Sequence, residues 1–186
     1  RSRLATAKSP PMRSDNPPGR AGCSAVSFHF SRATRPLRPH NDMNPNTAEP
    51  DVQSFGWSND LLLGYPPMDR THQAFTEVVC ALRDAPDEDL AVRLQAVITH
   101  LEEHFGEEDR WMDDTEFPAR ECHRDEHAAV LTSAQQVQER LATGDAALCR
   151  RFTQELIRWF PGHADYLDAA LSHWMVKRSA GGKPVV

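Results

Sequence analysis

Residues 90–112 read LAVRLQAVITHLEEHFGEEDRWM, and this stretch decides the fold class. Its large apolar residues recur at helical intervals, which predicts an amphipathic helix from about Glu88 to Asp113. His104 and Glu108 stand four residues apart on the same stripe as the apolar residues. Because a buried polar side chain is costly unless it is paired or bound to a metal, the stretch predicts a polar site inside a helical core.

Three further helices are predicted around this one, and strand signals are scarce. The first runs from about Pro67 to Asp84, and the next after the quoted stretch runs from about Ala119 to Ala142, where Gly144 ends it. The last runs from about Asp145 to Lys177 and contains Pro161. Four amphipathic helices with short connections predict an all-α, up-down-up-down four-helix bundle.

The charge of the chain divides it into a basic beginning and an acidic remainder. Residues 1–42 carry eight Lys or Arg and two Asp, a net charge of +6, whereas residues 43–186 have a net charge of −12. Residues 1–50 also hold eight of the 14 prolines, which predicts a disordered extension. One interpretation of the change in charge is that the native protein starts at Met43. The predicted bundle then occupies residues 51–178, and residues 179–186 form a frayed tail.

Composition also argues against several classes of partner and site. An acidic domain does not suit nucleic acid or an anionic membrane, and no apolar run of 18 residues is present. The four cysteines include no CxxC pair, which argues against a thiolate zinc site. Widely spaced cysteines fit a reducing compartment, so we expect a cytoplasmic protein.

Histidines and carboxylates occur on the apolar face of every predicted helix. Five imidazoles and two carboxylates make up this set, which suits iron or manganese in a bundle core. Each carboxylate can bridge two metals while the imidazoles fill terminal positions, which leaves one position open. A set so rich in histidine favours reversible ligand binding over oxidation of a substrate. The seven candidate metal ligands are His72, His104, Glu108, His123, His127, His163 and Asp168.

Other residues near these positions compete for the same roles. Glu107 is a weaker rival to Glu108, and Asp165 is a rival to Asp168 that should point away from the site. His100 lies four residues before His104, and we expect it to be solvated or to lie behind the ligands. We assign no role to the three remaining histidines, His29, His40 and His173.

The spacing of the last two ligands requires an irregular helix. His163 and Asp168 are five residues apart, so about 140° separates them in a regular helix. A π-bulge would align them, and Pro161 cannot donate the hydrogen bond that would hold a regular turn there. We therefore predict irregular helical structure between Phe160 and Asp168.

The order and intervals of these motifs resemble those of bacterial hemerythrins. The resemblance covers about residues 57–175 and includes the opening stretch that begins at Trp57. Its motifs are His72, then HFGEE at 104–108, HRDEH at 123–127 and HADYLD at 163–168. It implies a four-helix bundle that binds two iron ions, as Fe²⁺ or Fe³⁺, with an oxo or hydroxo bridge between them.

The resemblance also implies a role for each ligand. Glu108 and Asp168 would bridge the two irons. The remaining ligands would divide unequally, with three histidines on one iron and two on the other, whose last position would bind dioxygen. The three are His123, His127 and His163, and the two are His72 and His104.

A pocket around the dioxygen position is implied in the same way. Its apolar wall would consist of Phe105, Trp159, Phe160 and Ala164. Many relatives have a bulky aliphatic residue where this chain has Ala164, so we expect a roomier pocket and faster autoxidation. The implied role is non-enzymatic dioxygen storage, delivery or buffering. The alternatives are a di-iron enzyme acting on peroxide or nitric oxide, and a sensor of dioxygen or redox state.

Overall fold

A computed structural model describes residues 52–181 and contains helices but no strand within that range. The predicted extension of residues 1–50 and the tail beyond residue 181 lie outside the described residues. Among the described residues, no helix is both long enough and apolar enough to cross a membrane.

Four long helices form the predicted up-down-up-down bundle. They comprise α1 (Pro66–Arg83), α2 (Leu90–Asp114), α3 (Arg120–Leu141) and a last helix of three segments: α4 (Ala146–His163), a π-helical turn (Ala164–Asp168) and α5 (Ala169–Ser179). Short 3-10 turns at Asn59–Leu61 and Asp87–Asp89 precede α1 and α2. Each helix packs against the next, and α1 packs against α4, which closes the bundle.

The helix ends follow from local sequence. Two prolines open α1, where a missing backbone N–H costs nothing. Gly144 follows α3 with a φ of 94°, a left-handed conformation that glycine adopts without steric strain. The Asp145 side chain then accepts a hydrogen bond from the Leu148 amide and caps α4. These signals explain why the predicted and observed bounds agree to within about two residues at most ends.

Two apolar clusters lie along the bundle on either side of a polar layer. The smaller cluster has Met68, Met112, Phe117 and Leu171 at its centre, and the larger one contains Phe75, Leu101 and Phe160 among many others. In α1, Met68 of the smaller cluster and Phe75 of the larger one flank His72 along the sequence. The polar layer is therefore enclosed by hydrophobic packing at both ends.

Candidate metal centre

All seven predicted ligands lie together in this buried layer. One comes from α1, two from α2, two from α3, one from the end of α4 and one from the π-helical turn. None is more than 3% exposed. They share stripes with core residues, because the periodicity that turns Leu101 and Phe105 inward also turns His104 and Glu108 inward.

The π-helical turn places Asp168 beside His163, as the five-residue spacing predicts. The amide of Ala169 donates to the carbonyl of Ala164, which is the i→i+5 bond of a π-helix. Asp168 Oδ1 lies 3.2 Å from His163 Nε2. The prediction of irregular helix in this segment is confirmed.

Each carboxylate presents one oxygen to each of two histidine groups. Glu108 Oε1 lies 2.9 Å from His104 Nε2, whereas Glu108 Oε2 lies 3.4 Å from His123 Nε2 and 3.3 Å from His127 Nε2. Asp168 Oδ2 lies 3.1 Å from the Nε2 atom of His72, and its Oδ1 lies 3.0 Å from that of His123. This arrangement suits carboxylates that bridge two cations.

The layer therefore contains two overlapping sets of possible metal ligands. We call the set around His123, His127 and His163 the triad side, and the set around His72 and His104 the pair side. Both sets include Glu108 and Asp168, and the ligand atoms within each set lie within 4.8 Å of one another. The triad side offers five protein ligands and the pair side offers four.

The electrostatics of the layer keep both carboxylates ionised. Burial and Asp168 act to raise the pKa of Glu108, but His104 and His123 hold it well below its ordinary value. Burial also acts to raise the pKa of Asp168, and His163 and His123 hold it well below its ordinary value. Burial lowers the pKa of His163, but Asp168, Glu126 and Glu108 together outweigh that effect and raise it to about 10.

The hydrogen bonding within the layer is incomplete in a way that a metal would remedy. Within residues 52–181, neither oxygen of Asp168 has a hydrogen-bond partner, and neither does Glu108 Oε2, although both residues are fully buried. The Nε2 atoms of four histidines are in the same state: His72, His123, His127 and His163. Buried polar atoms are expensive unless they are paired or bound to a metal. Nitrogen and carboxylate ligands without thiolate fit iron.

Comparison with known proteins identifies the family. The family model described as "Hemerythrin HHE cation binding domain" matches residues 63–171, a range that contains all seven residues. The chain belongs to the hemerythrin family. It is 42% identical over 122 residues to a protein named bacteriohemerythrin from Ralstonia nicotianae (strain ATCC BAA-1114 / GMI1000). That match covers 66% of this chain and 89% of the relative. The resemblance to hemerythrins noted from the sequence is confirmed.

The rival residues lie outside the two ligand sets. Asp165 is exposed, whereas Asp168 is buried. Glu107 is half-buried and belongs to neither set. His100 is also half-buried, with its ring centroid 5.8 Å from that of His104. His173 is exposed, and the other two unassigned histidines lie outside the described residues.

The four residues predicted for the pocket wall surround both sides of the site. Phe105 stacks on His127 with ring centroids 3.9 Å apart, and the Trp159 ring lies 4.4 Å from that of His163. Phe160 lies on the pair side, 5.2 Å from the His72 ring. The fourth residue, Ala164, is 1% exposed.

Sequence reasoning missed Phe75 as a neighbour of the site. Its ring lies 4.4 Å from Phe160 and 6.4 Å from His104, so it belongs to the apolar surroundings of the pair side. The available signal was its position three residues after His72, which places both on one face of α1.

Two carboxylates behind the triad side were also missed. Asp109 Oδ1 lies 3.4 Å from His127 Nδ1, and Glu126 Oε1 lies 3.4 Å from His163 Nδ1. Metal-bound histidines commonly donate their other ring N–H to a carboxylate. That rule suggests that such partners exist. Each of these contacts joins two different helices, however, and the sequence periodicity of one helix does not show how it is rotated relative to another.

A surface cleft opens between α1 and α2 on the pair side. Its volume is about 360 Å³, and His104 forms part of its wall together with His100. Arg70, Glu103 and Glu107 lie nearer the charged rim. The candidate metal ligand His104 thus borders a cleft on the pair side, which is also the side with fewer candidate protein ligands.

Proposed function

We propose that this protein binds dioxygen reversibly at two iron ions, joined by an oxo or hydroxo bridge and held by the seven residues of the buried layer. The observation that carries the proposal is the sharing of Glu108 and Asp168 between unequal histidine sets. With five candidate protein ligands on the triad side and four on the pair side, the pair side has one more coordination position for a small ligand. On this proposal Glu108 and Asp168 would hold both irons, and the five histidines would be terminal ligands.

A pair of ferrous ions in such a site supplies the two electrons that reversible dioxygen binding requires. Glu108 and Asp168 would hold the ions next to each other, because each has oxygens directed to both sides. Bridging carboxylates that are already ionised need lose no proton when metal binds.

Apolar residues around the layer would restrict access of water to the pair side. Phe75 and Phe160 are fully or almost fully buried and pack against each other beside the pair-side histidines. Phe105, Trp159 and Ala164 continue this apolar surface toward the triad side. Exclusion of water limits proton access to bound dioxygen, so this packing favours release of dioxygen over irreversible oxidation.

The cleft between α1 and α2 offers a route for a small neutral molecule to approach the pair side. Its wall includes His104, and Ala74 and Pro67 give it apolar surface. We propose a non-enzymatic, cytoplasmic role in dioxygen storage, delivery or buffering. The family membership and the bacteriohemerythrin name of the Ralstonia relative support the dioxygen-binding part of this proposal.

The test is a visible absorption spectrum of the anaerobically reduced protein before and after exposure to air, with iron analysis of the same sample. We expect two irons per chain and an absorption band that appears with dioxygen and fades on deoxygenation. Immediate, irreversible oxidation would contradict reversible binding and would favour chemistry on peroxide or nitric oxide, which steady-state turnover assays with those two molecules would detect.

A further inference from the structure

The two sides of the metal centre also differ in the surroundings of their histidine Nδ1 atoms, the ring nitrogens that do not face Glu108 and Asp168. On the triad side, the Nδ1 atoms of His127 and His163 each lie 3.4 Å from a carboxylate oxygen, of Asp109 and Glu126 respectively. On the pair side, neither His72 Nδ1 nor His104 Nδ1 has such a carboxylate neighbour in the described part of the chain, where none of the four Nδ1 atoms has a hydrogen-bond partner of ordinary geometry. The only ion-pair contacts of the two pair-side histidines there are the Nε2 contacts to the bridging carboxylates.

Trp159 also holds the Glu126 side chain in place. The indole Nε1 of Trp159 donates a 2.7 Å hydrogen bond to Glu126 Oε1, the same oxygen that faces His163. The Trp159 ring also packs against His163. The Glu126 side chain is only 16% exposed, so solvent competes little with these contacts. Indole, carboxylate and imidazole therefore form a chain that orients His163.

Asp109 is anchored through a neighbouring cation. Arg124 Nε lies 3.6 Å from Asp109 Oδ1, and the same guanidinium donates to the Asp109 backbone carbonyl. Arg124 also pairs with Asp113, one turn further along α2. These contacts connect α3 to α2 beside His127. Asp109 is more exposed than Glu126, with 37% of its side chain accessible, so we expect its effect to be the smaller of the two.

We propose, on the basis of the di-iron site proposed above, that Glu126 and Asp109 are positioning residues that make the triad side the tighter of two unequal metal positions. A carboxylate behind a ligating histidine orients the ring and makes it a stronger donor. The triad side has this support and five protein ligands, whereas the pair side has four ligands and a cleft behind His104. The pair-side metal is then the last to bind and the first to leave, and a chain with one metal holds it on the triad side.

The order of metal loss can be measured on the iron-loaded protein. Diferrous protein is equilibrated anaerobically with increasing concentrations of a ferrous chelator, and native mass spectrometry counts chains with two, one and no iron. We expect the one-iron form to accumulate over a wide range of chelator concentration. A direct change from two irons to none, without a one-iron form, would overturn the proposal.

Ligand variants identify which position the remaining iron occupies. We expect His104→Ala to keep one iron with the chelator resistance of the one-iron wild type, and His72→Ala serves as a second pair-side variant. His127→Ala, on the triad side, should lose that resistance. The reverse pattern, with resistance kept by His127→Ala and lost by both pair-side variants, would overturn the assignment.

The positioning role is tested by Glu126→Gln and Asp109→Asn, which remove charge and keep side-chain size. We expect each to weaken retention of the tighter iron by roughly 10–100-fold, with Asp109→Asn nearer the lower end. Asp125→Asn is the matched control, because Asp125 is an exposed acid on the same helix as Glu126. Helical circular dichroism of all three variants should equal that of the wild type. Unchanged retention in both positioning variants, or an equal loss in the control, would overturn the role of these carboxylates.

This outcome is independent of dioxygen binding. A wild type that loses its two irons in the expected order but never binds dioxygen reversibly would remove the proposed function and leave the ordering intact. A wild type that binds dioxygen reversibly but releases both irons together would do the opposite.

Discussion

Two helices of the bundle each supply one histidine and one carboxylate to the same layer, but they do so differently. In α2, His104 and Glu108 are four residues apart in a regular helix. In the last helix, His163 and Asp168 are five apart, and the π-helical turn Ala164–Asp168 brings them together. A regular helix thus aligns a ligand pair by spacing alone, whereas the other spacing requires a local change in winding.

The distortion is confined to a single turn. α4 is α-helical up to His163, and α5 resumes at Ala169 with Leu171 and Ser172 fully buried. The extra residue is therefore absorbed between the two ligands, and the core positions on either side keep their faces. Pro161 adds to this tolerance, because it lacks the N–H that a regular α-helix would use.

Deleting one residue between the ligands of each helix gives the largest expected contrast. Without Gly106, His104 and Glu108 are three apart and the rest of α2 rotates by about 100°, which turns Met112 out of the core. We expect no iron pair and a loss of stability above about 3 kcal/mol, since a buried methionine and the site are both lost. Iron analysis and urea unfolding measure the two effects.

Deletion of Tyr166 is the matched change in the π-helical turn. Tyr166 is 80% exposed, and without it the turn has the length of an α-helical turn. In this variant, His163 and Asp168 (wild-type numbering) are four residues apart, as His104 and Glu108 are. We expect two irons per chain and a thermal midpoint at or above that of the wild type. Loss of iron here would show that the π-helical turn does more than absorb a residue.

Removing one of the two shared carboxylates tests the two proposed ligand pairs individually. We expect Glu108→Ala and Asp168→Ala each to abolish the two-iron form, because each leaves both metal positions one ligand short. Glu107→Ala and Asp165→Ala are the controls on the same two segments and should keep two irons. Iron content per folded chain is the measurement, and equal losses in a control and its partner would contradict the assignment of that bridge.

The comparison of the two helices also shows what could be predicted from sequence. The repeat of Leu94, Val97 and Leu101 was enough to place α2, and the five-residue interval before Asp168 was enough to predict irregular winding. Both are properties of a single helix. The 3-10 turn at Asp87–Asp89, which delays the start of α2 to Leu90, was not predicted, because acidic residues suit either kind of first turn.

Contacts between helices were beyond sequence reasoning. That seven polar residues share one layer follows from their positions on apolar faces. Which carboxylate oxygen faces which histidine depends on how the helices are rotated and shifted against one another. The roles of Glu126, Asp109 and Phe75 depend on the same geometry, and no pattern within one helix carries it.

The residues that follow the two histidines offer a smaller test. Phe105 follows His104, whereas Ala164 follows His163, and both are buried. We expect Ala164→Ile to slow autoxidation several-fold by filling space beside the site. The rate of loss of the oxygenated absorption band measures this effect. An unchanged or faster rate would contradict the roomier pocket expected from Ala164.

The residues one turn before His163 and His104 give the smallest expected effect. They are Trp159 in α4 and His100 in α2. Burial and the neighbouring His104 lower the pKa of His100 to about 4, from an ordinary value of 6.5. Between those two values the unfolded chain protonates this histidine and the folded chain does not. His100 therefore makes the folded state less stable as the pH falls from 6.5 toward 4.

His100→Gln should remove this dependence, because glutamine does not titrate. Since His100 is half-buried and partly screened by solvent, we expect a difference of about 1 kcal/mol between pH 7 and pH 5. Comparing the iron-loaded wild type and variant at both values cancels the proton release linked to metal binding, provided that the ligands are the same in both. Between pH 7 and pH 5, the thermal midpoint of the wild type should fall further than that of the variant. Between pH 7 and pH 8, the two midpoints should change in parallel. Parallel changes down to pH 5 would mean that His100 is protonated in the folded chain and that water reaches it through the cleft.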